Sequence, residues 1–201
     1  ERTVLQNISL EIPKGSFTAF VGKSGSGKST TAKVLAGINL DYQGSAKLLG
    51  QEINKLRSRD VYKYVSYISH KDWIFKGSIR DCLLEGNPQA SEEEMWEALK
   101  KVQLDGFVKE MGGLDFQIME NASNLSGGQK QRLSIARALL HNSEVYIFDE
   151  ASSNIDVESE AAILELLHQL KKEKTIIMIS HRKENCQGAD KIYTFEKGGL
   201  C

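Results

Sequence analysis

At 201 residues, 40% hydrophobic and 26% charged, the chain has an ordinary globular balance and enough length for one large domain or two small ones. Lys+Arg of 26 against Asp+Glu of 27 leaves no overall basic field, so no nucleic-acid partner is expected. No stretch approaches the roughly 18 consecutive apolar residues of a membrane-spanning helix. Three widely spaced cysteines, Cys82, Cys186 and Cys201, lack C-x-x-C or His-rich metal spacing and suit a reducing compartment. The chain starts at Glu1, in what reads as the edge of a strand, and we read it as a piece of a longer polypeptide.

Residues 3–12 alternate apolar and polar (Val4, Leu5, Ile8, Leu10, Ile12) up to the turn signal Pro13-Lys14-Gly15, which predicts an antiparallel strand leading into the next one. That next strand is the apolar run Phe17 to Val21. Behind it comes Gly22-Lys23-Ser24-Gly25-Ser26-Gly27-Lys28-Ser29-Thr30, then a helical pattern over residues 28–36. The loop fits G-x-x-x-x-G-K-[ST], the pattern that cradles phosphates. Glycines let successive backbone N–H groups curl around an anion, and the helix start adds its free N–H groups and positive dipole end. Lys28 can reach terminal phosphates as a point charge, and the Ser29 hydroxyl can bind a magnesium ion bridging them. The plainer reading, a flexible Gly/Ser linker, requires neither a preceding strand nor a lysine at that offset.

Further along, residues 44–50 are a short strand candidate and residues 64–69 a stronger one, with His70 at its end. From about Ile79 to Met111 the pattern turns helical and carries no strand signal. Ser91 and Glu94 have capping-box spacing, with Met95, Leu99 and Val102 at helical intervals behind them. Residues 126–140 read as another helix. Val145-Tyr146-Ile147-Phe148 is a continuous apolar run, as in a buried parallel strand, and it ends in Asp149-Glu150. A helix with an apolar stripe (Ile163, Leu164, Leu166, Leu167, Leu170), a second buried run over 175–179 and a last strand over 191–195 follow. Strands alternating with helices around a phosphate loop predict an α/β fold with a mostly parallel sheet and helices on both faces. We expect one domain over residues 1–201, with a helical subdomain inserted at about 72–140.

Asp149 and Glu150 end their strand at the carboxyl edge of such a sheet, where open α/β folds place ligands. Asp149 is suited to hold magnesium, directly or through water, and Glu150 to polarise an attacking water. Paired acids after a strand also serve simply to cap the next turn. His181 ends the second buried run and projects from the same edge, placed to donate a hydrogen bond to a terminal phosphate. Leu125-Ser126-Gly127-Gly128-Gln129 supports two compatible readings: a capped helix start, or an anion site whose glycines admit a phosphate closely. Two phosphate sites so far apart in sequence suggest that a second copy brings this helix to the first copy's nucleotide.

These residues together resemble the nucleotide-binding domain of an ATP-binding-cassette (ABC) transporter: the loop at 22–29, Leu125 to Gln129, the strand ending in Asp149-Glu150, Ser153-Asn154-Ile155-Asp156, and His181. The resemblance implies a P-loop NTPase core with an N-terminal antiparallel β subdomain and an inserted helical one. It also implies ATP and Mg2+ as cofactors, with Glu150 and His181 catalytic. The partner would be a second ABC nucleotide-binding domain, in a head-to-tail dimer. There Ser126 and Gly128 meet the partner's γ-phosphate and Asp156 belongs to a loop that communicates across the dimer. Closure and hydrolysis would drive transmembrane domains, fused upstream in the exporter type, from the cytoplasmic face of a membrane. Residues 74–81, Gly86-Asn87-Pro88 and Glu120 resemble that exporter type, Glu120 matching a segment that contacts the membrane domain. The sequence departs from the family at His70, where glutamine is the rule. Imidazole is a poor direct magnesium ligand, so His70 implies altered metal affinity and slower hydrolysis, or a module that dimerises on ATP without rapid turnover. A soluble ABC ATPase is a further alternative. The aromatic residue that stacks on adenine in the family would lie upstream of Glu1.

Overall fold

The computed structural model describes residues 4–69, 73–150, 157–181 and 186–201, and divides into two compact units. His70 and Asp156, with Ser153 to Ile155, lie outside the described residues.

The first unit comprises Glu1–Tyr67, Ser143–Glu150 and Leu170–Cys201. Its elements are β1 (Phe17–Gly22), α1 (Lys28–Leu35), the two-residue strands β2 (Lys47–Leu48) and β3 (Gln51–Glu52), α2 (Ser58–Tyr64) and the start of β4 (Val65–Ser69). Later segments add β7 (Val145–Asp149), β8 (Thr175–Ser180), β9 (Lys191–Glu196) and β10 (Gly199–Leu200). Six strands form one sheet in the order β10-β9-β1-β8-β7-β4. The ladders β9–β1, β1–β8 and β8–β7 are parallel, and β10 turns back antiparallel on β9. The order explains the composition of the strands. β1, β7 and β8 lie inside the sheet and read as largely apolar runs, with Thr18 of β1 buried among them, because strands covered on both faces have little solvent side on which to place polar residues.

Register fixes which side chains share a face. Phe20 stands opposite Ile179, and Ile179 opposite Asp149. Phe20, Ile147, Ile177, Ile179 and Phe195 pack with Ala32 of α1 and Val61 of α2 in one core cluster. Ala19 and Val21, on the opposite side of β1, pack with Cys186. On β4, Val65 belongs to the main cluster and Tyr67 packs against it, whereas Ser66 faces away and exchanges a 2.8 Å hydrogen bond with Ser143.

The predicted strand over residues 3–12 does not form among the described residues, where 4–12 carry no strand. Its alternation is nonetheless used, since Ile8, Leu10 and Ile12 pack on the core. Asn7 takes a left-handed backbone (φ 51), which breaks an extended ladder. The segment is instead held at separate points: Gln6 N–H donates to Gly198 O, and the Tyr193 hydroxyl both accepts from Glu11 N–H and donates to Glu11 O, each at 2.9 Å. The antiparallel pairing in this unit thus comes from β9–β10 and from β2–β3.

The second unit comprises Ile68–Asn142 and Ala151–Gln169. It holds the strands β5 (Gly77–Ser78) and β6 (Gln117–Ile118) and the helices α3 (Ile79–Leu84), α4 (Glu92–Lys101), α5 (Asp105–Glu110) and α6 (Gly127–His141), with most of α7 (Val157–Leu170). Antiparallel pairing of β5 with β6 closes the ends of the helical stretch together. Ser78 caps α3 and Ser91 caps α4, each in a reciprocal capping box with the acid three residues on, Asp81 and Glu94. Helices α3 and α4 both pack on α6, burying Ile79, Leu83, Met95, Leu99, Leu133 and Ile135. Among the described residues no helix is long and apolar enough to cross a membrane.

Gly86 follows α3 where the chain passes close against α6. A Cβ there would lie 2.1 Å from the Arg137 carbonyl oxygen, a backbone atom in mid-helix that cannot step aside. Gly86→Ala is therefore expected to destabilise the domain by about 2 kcal/mol through overpacking, measured by urea unfolding.

Candidate functional site

The turn from β1 into α1 requires glycine for two different reasons. Gly22 (φ 147) ends the strand so close to β9 that a Cβ would lie 2.3 Å from Phe195 O. Gly27 (φ 105) is the N-cap of α1 in the left-handed region, and no side chain caps the helix. The start of α1 is thus left open on its positive end, as an anion site requires. Between the two glycines, Lys23, Ser24 and Gly25 are exposed and Ser26 is buried.

Lys28 is only 3% exposed. Its ammonium donates to Gly22 O at 2.7 Å and Lys23 O at 2.9 Å, so the loop's own carbonyls hold it at the loop's centre. Burial pulls its pKa below the ordinary lysine value, and the Glu150 and Asp149 carboxylates oppose that shift. The cation is therefore partly desolvated before any anion arrives, which strengthens its attraction to one.

Ser29, next along α1, donates its hydroxyl proton to Asp149 Oδ1 at 2.8 Å. The other carboxylate oxygen of Asp149 accepts from the Tyr67 hydroxyl. Asp149 is 7% exposed, so these donors replace water around its charge. A hydroxyl and a carboxylate oxygen are the hard donors that magnesium takes. Among the described residues no three His, Cys, Asp or Glu side chains cluster to hold a metal unaided. That donor set fits an ion held by one or two protein oxygens with a substrate's phosphates completing its shell.

One residue further on, Glu150 leaves the strand with a left-handed backbone (φ 54), uncommon for a side chain of its kind. Its N–H donates to Ile179 O at 3.2 Å, which keeps it at the sheet edge. His181, just past β8, places Nδ1 3.1 Å from Glu150 Oε1. The fold thus brings Lys28, Ser29, Asp149, Glu150 and His181 together in the first unit, although 153 positions separate Lys28 from His181 in the chain. Tyr67 escaped the sequence analysis, where it was one β-former among several. Its signal is strand alternation, which sets it on the same face as Val65.

Leu125 to Gln129 belongs to the second unit. Leu125 is buried, Ser126 and Gly127 are exposed, and Gly128 is buried. Ser126 is the N-cap of α6: its Oγ accepts from Gln129 N–H at 3.2 Å, while its own N–H donates to Gln129 Oε1 at 2.8 Å. The capped-helix reading of this stretch therefore describes its local structure, and the cap stands at an exposed helix start. Immediately upstream, Glu120 opens a short 3-10 turn whose Asn121 and Ala122 both have positive φ. Asn124 secures that turn, accepting from Met119 N–H and donating to Gln117 O, each at 2.9 Å.

Comparison with known proteins bears on the fold and the family. The family model described as ABC transporter matches residues 5–153. The chain is 45% identical over 200 residues to an uncharacterised ABC transporter ATP-binding protein of Haemophilus influenzae, covering 100% of this chain and 36% of that protein. It is 39% identical over 200 residues to an ATP-dependent lipid A-core flippase of Francisella tularensis, covering 98% of this chain and 33% of the flippase. Among solved structures, a bacterial Atm1-family ABC exporter with ATP bound superposes with a TM-score of 0.93 at 31% identity, over 100% of this chain and 35% of the exporter chain. The chain spans about a third of the length of these relatives. The mostly parallel sheet, the phosphate loop that opens at its edge and the matched sequence agree, and the chain belongs to the ABC transporter family, as an ATP-binding domain most like those of its exporters.

Proposed function

We propose that this chain is the ATP-hydrolysing motor of an ABC exporter, in which two such domains close on ATP and reopen after hydrolysis to move transmembrane domains. The observation that carries the reading is the pairing at the carboxyl edge of the sheet: Ser29 on Asp149, and His181 on Glu150, on adjacent strands beside a buried lysine.

In this reading the residues of the loop, Gly22 to Thr30, wrap the phosphates of ATP with backbone N–H groups, and Lys28 exchanges its two carbonyl partners for phosphate oxygens. Ser29 and Asp149 would hold the magnesium ion, which would supply neutralisation of phosphate charge. Glu150 accepts a hydrogen bond from the attacking water and draws off its proton. His181, with Nδ1 against the Glu150 carboxylate, donates to it and so orients the base. Ser126 and Gly128, at the exposed start of α6, complete the partner domain's site, so that neither nucleotide is fully enclosed without the second domain. Asp156 and His70 complete the assignment from sequence, as the cross-dimer loop and the position that normally carries glutamine.

The transmembrane domains are proposed to be fused upstream, with the helical segment of about 72–140 as the part that answers to them and the domain at the cytoplasmic face of the membrane. Relatives named as an exporter and a flippase, of which this chain spans about a third, support that placement. The name of the Francisella relative makes lipid-like cargo a natural class to try first.

Two measurements test the reading. ATP hydrolysis by the domain is expected to rise more steeply than linearly with its concentration and to fall at least about 100-fold in Glu150→Gln, the scale of general-base loss. Retained ATP binding with negligible hydrolysis in the unsubstituted chain would instead favour an ATP-gated association module, and would direct attention to His70. Ser126 separates capping from phosphate contact. Ser126→Ala is expected to cost about 1 kcal/mol of stability, whereas Ser126→Asp keeps an N-cap of equal quality. If Ser126 meets a γ-phosphate, Ser126→Asp sets a carboxylate against it. ATP-driven dimerisation, followed by sedimentation in the Glu150→Gln background, is then abolished despite unchanged thermal stability.

A further inference from the structure

Asp149 is held from two directions, and only one of its partners comes from the phosphate loop. Ser29 Oγ occupies Oδ1, while the Tyr67 hydroxyl, reaching across from the neighbouring strand, donates to Oδ2. The phenol is itself well fixed. Tyr67 shares its strand face with Val65 and packs against the main core, and β4 is pinned on its other face by the Ser66–Ser143 hydrogen bond. A hydrogen bond from Glu144 N–H to Tyr64 O ties the approach to β4 to the approach to β7. The donor that reaches Asp149 is thus set on a rigid strand rather than on a loop.

We propose that Tyr67 is a positioning residue for the divalent cation: by holding Oδ2, it fixes the Asp149 carboxylate with Oδ1 turned toward Ser29. This rests on the reading of Ser29 and Asp149 as the residues that hold magnesium. A carboxylate with one oxygen restrained has a single orientation to offer an incoming ion. Without the Tyr67 bond only Ser29 orients the carboxylate, so it must be ordered further as the ion binds, and Oδ2 loses its tyrosine donor. Phenylalanine at position 67 keeps the ring's packing and removes only the donor. Tyr67 needs no contact with nucleotide for this role, so its effect is confined to the metal.

Mn2+ serves as a spectroscopic probe, since carboxylate and hydroxyl sites accept it in place of magnesium. In the full-length protein carrying a non-hydrolysable ATP analogue, Mn2+ titration followed by electron paramagnetic resonance is expected to show about 10-fold weaker binding in Tyr67→Phe. Affinity for the analogue in EDTA should stay within about 2-fold of the unsubstituted protein, because the phosphate loop is untouched. Ser29→Ala is the reference variant. Weakened Mn2+ binding in Ser29→Ala with none in Tyr67→Phe overturns the role of Tyr67 and leaves the metal site in place. Unchanged Mn2+ binding in both variants removes the metal site and the proposal with it. An equal loss of Mn2+ and of metal-free analogue binding in Tyr67→Phe assigns the residue to packing, and also overturns it.

Discussion

A carboxylate at the end of a buried strand must find hydrogen-bond donors, and the placement of α1 follows from where Asp149 finds one. β7 lies deep in the sheet, with β8 on one side and β4 on the other, so Asp149 emerges among side chains with little water about it. A charge-assisted hydrogen bond in such a place is worth about 1.5–3 kcal/mol, and an orphaned carboxylate costs more than that. Ser29 supplies the bond from the first turn of α1, although β1, the strand that leads into α1, is separated from β7 by β8. The interaction therefore fixes the position of α1 over the sheet. With α1 fixed, the uncapped N–H groups behind Gly27 and the ammonium of Lys28 are set at the carboxyl edge.

The start of α6 solves a different problem with different means. A helix start loses stability if its first N–H groups are left wholly unsatisfied. Ser126 and Gln129 satisfy two backbone donors reciprocally. Two glycines, the exposed Gly127 and the buried Gly128, make up the rest of that first turn. In α1 the arrangement differs, because Gly27 provides no side-chain cap and the lysine is held by loop carbonyls. One helix start is built to surrender its internal contacts to a ligand, the other to keep them.

These contrasts bear on what the sequence reveals. Central strands are legible because burial on both faces leaves unbroken apolar runs, as at Val145 to Phe148, and because such runs need no partner to be recognised. Helix starts are legible where two side chains at fixed spacing satisfy each other, as at Ser91 with Glu94 and Ser126 with Gln129. Edge structure is less legible. Residues 4–12 alternate as a strand does, yet alternation reports only which side chains face the core, and Asn7 in the left-handed region prevents the ladder that alternation suggests. The short ribbons β2–β3 and β5–β6 are two residues a side, below the length at which a period can be read. Tyr67 is hidden for another reason: its hydroxyl matters only because the sheet order sets β4 next to β7, and nothing local to residues 64–69 encodes that order.

The same dependence on register explains how two adjacent acids come to occupy unlike surroundings. Asp149 is still part of β7, and alternation turns it to the face of Ile147, the face covered by α1. A one-residue slip of β7 against β8 would send it to the opposite face, away from Ser29. The ladder sets Ile147 opposite Ile177 and Asp149 opposite Ile179. Glu150 would by alternation point to the other side of the sheet. Its left-handed backbone redirects it, and it meets His181 at the end of β8 instead. The strain of a non-glycine residue in that region is small beside the register energy of a buried strand, so the sheet can sustain it. One carboxylate is thus shielded and shared between two hydroxyls, while the next stands at the rim beside an imidazole. A single dipeptide provides two such unlike carboxylate environments because the chain leaves the ladder between its two residues.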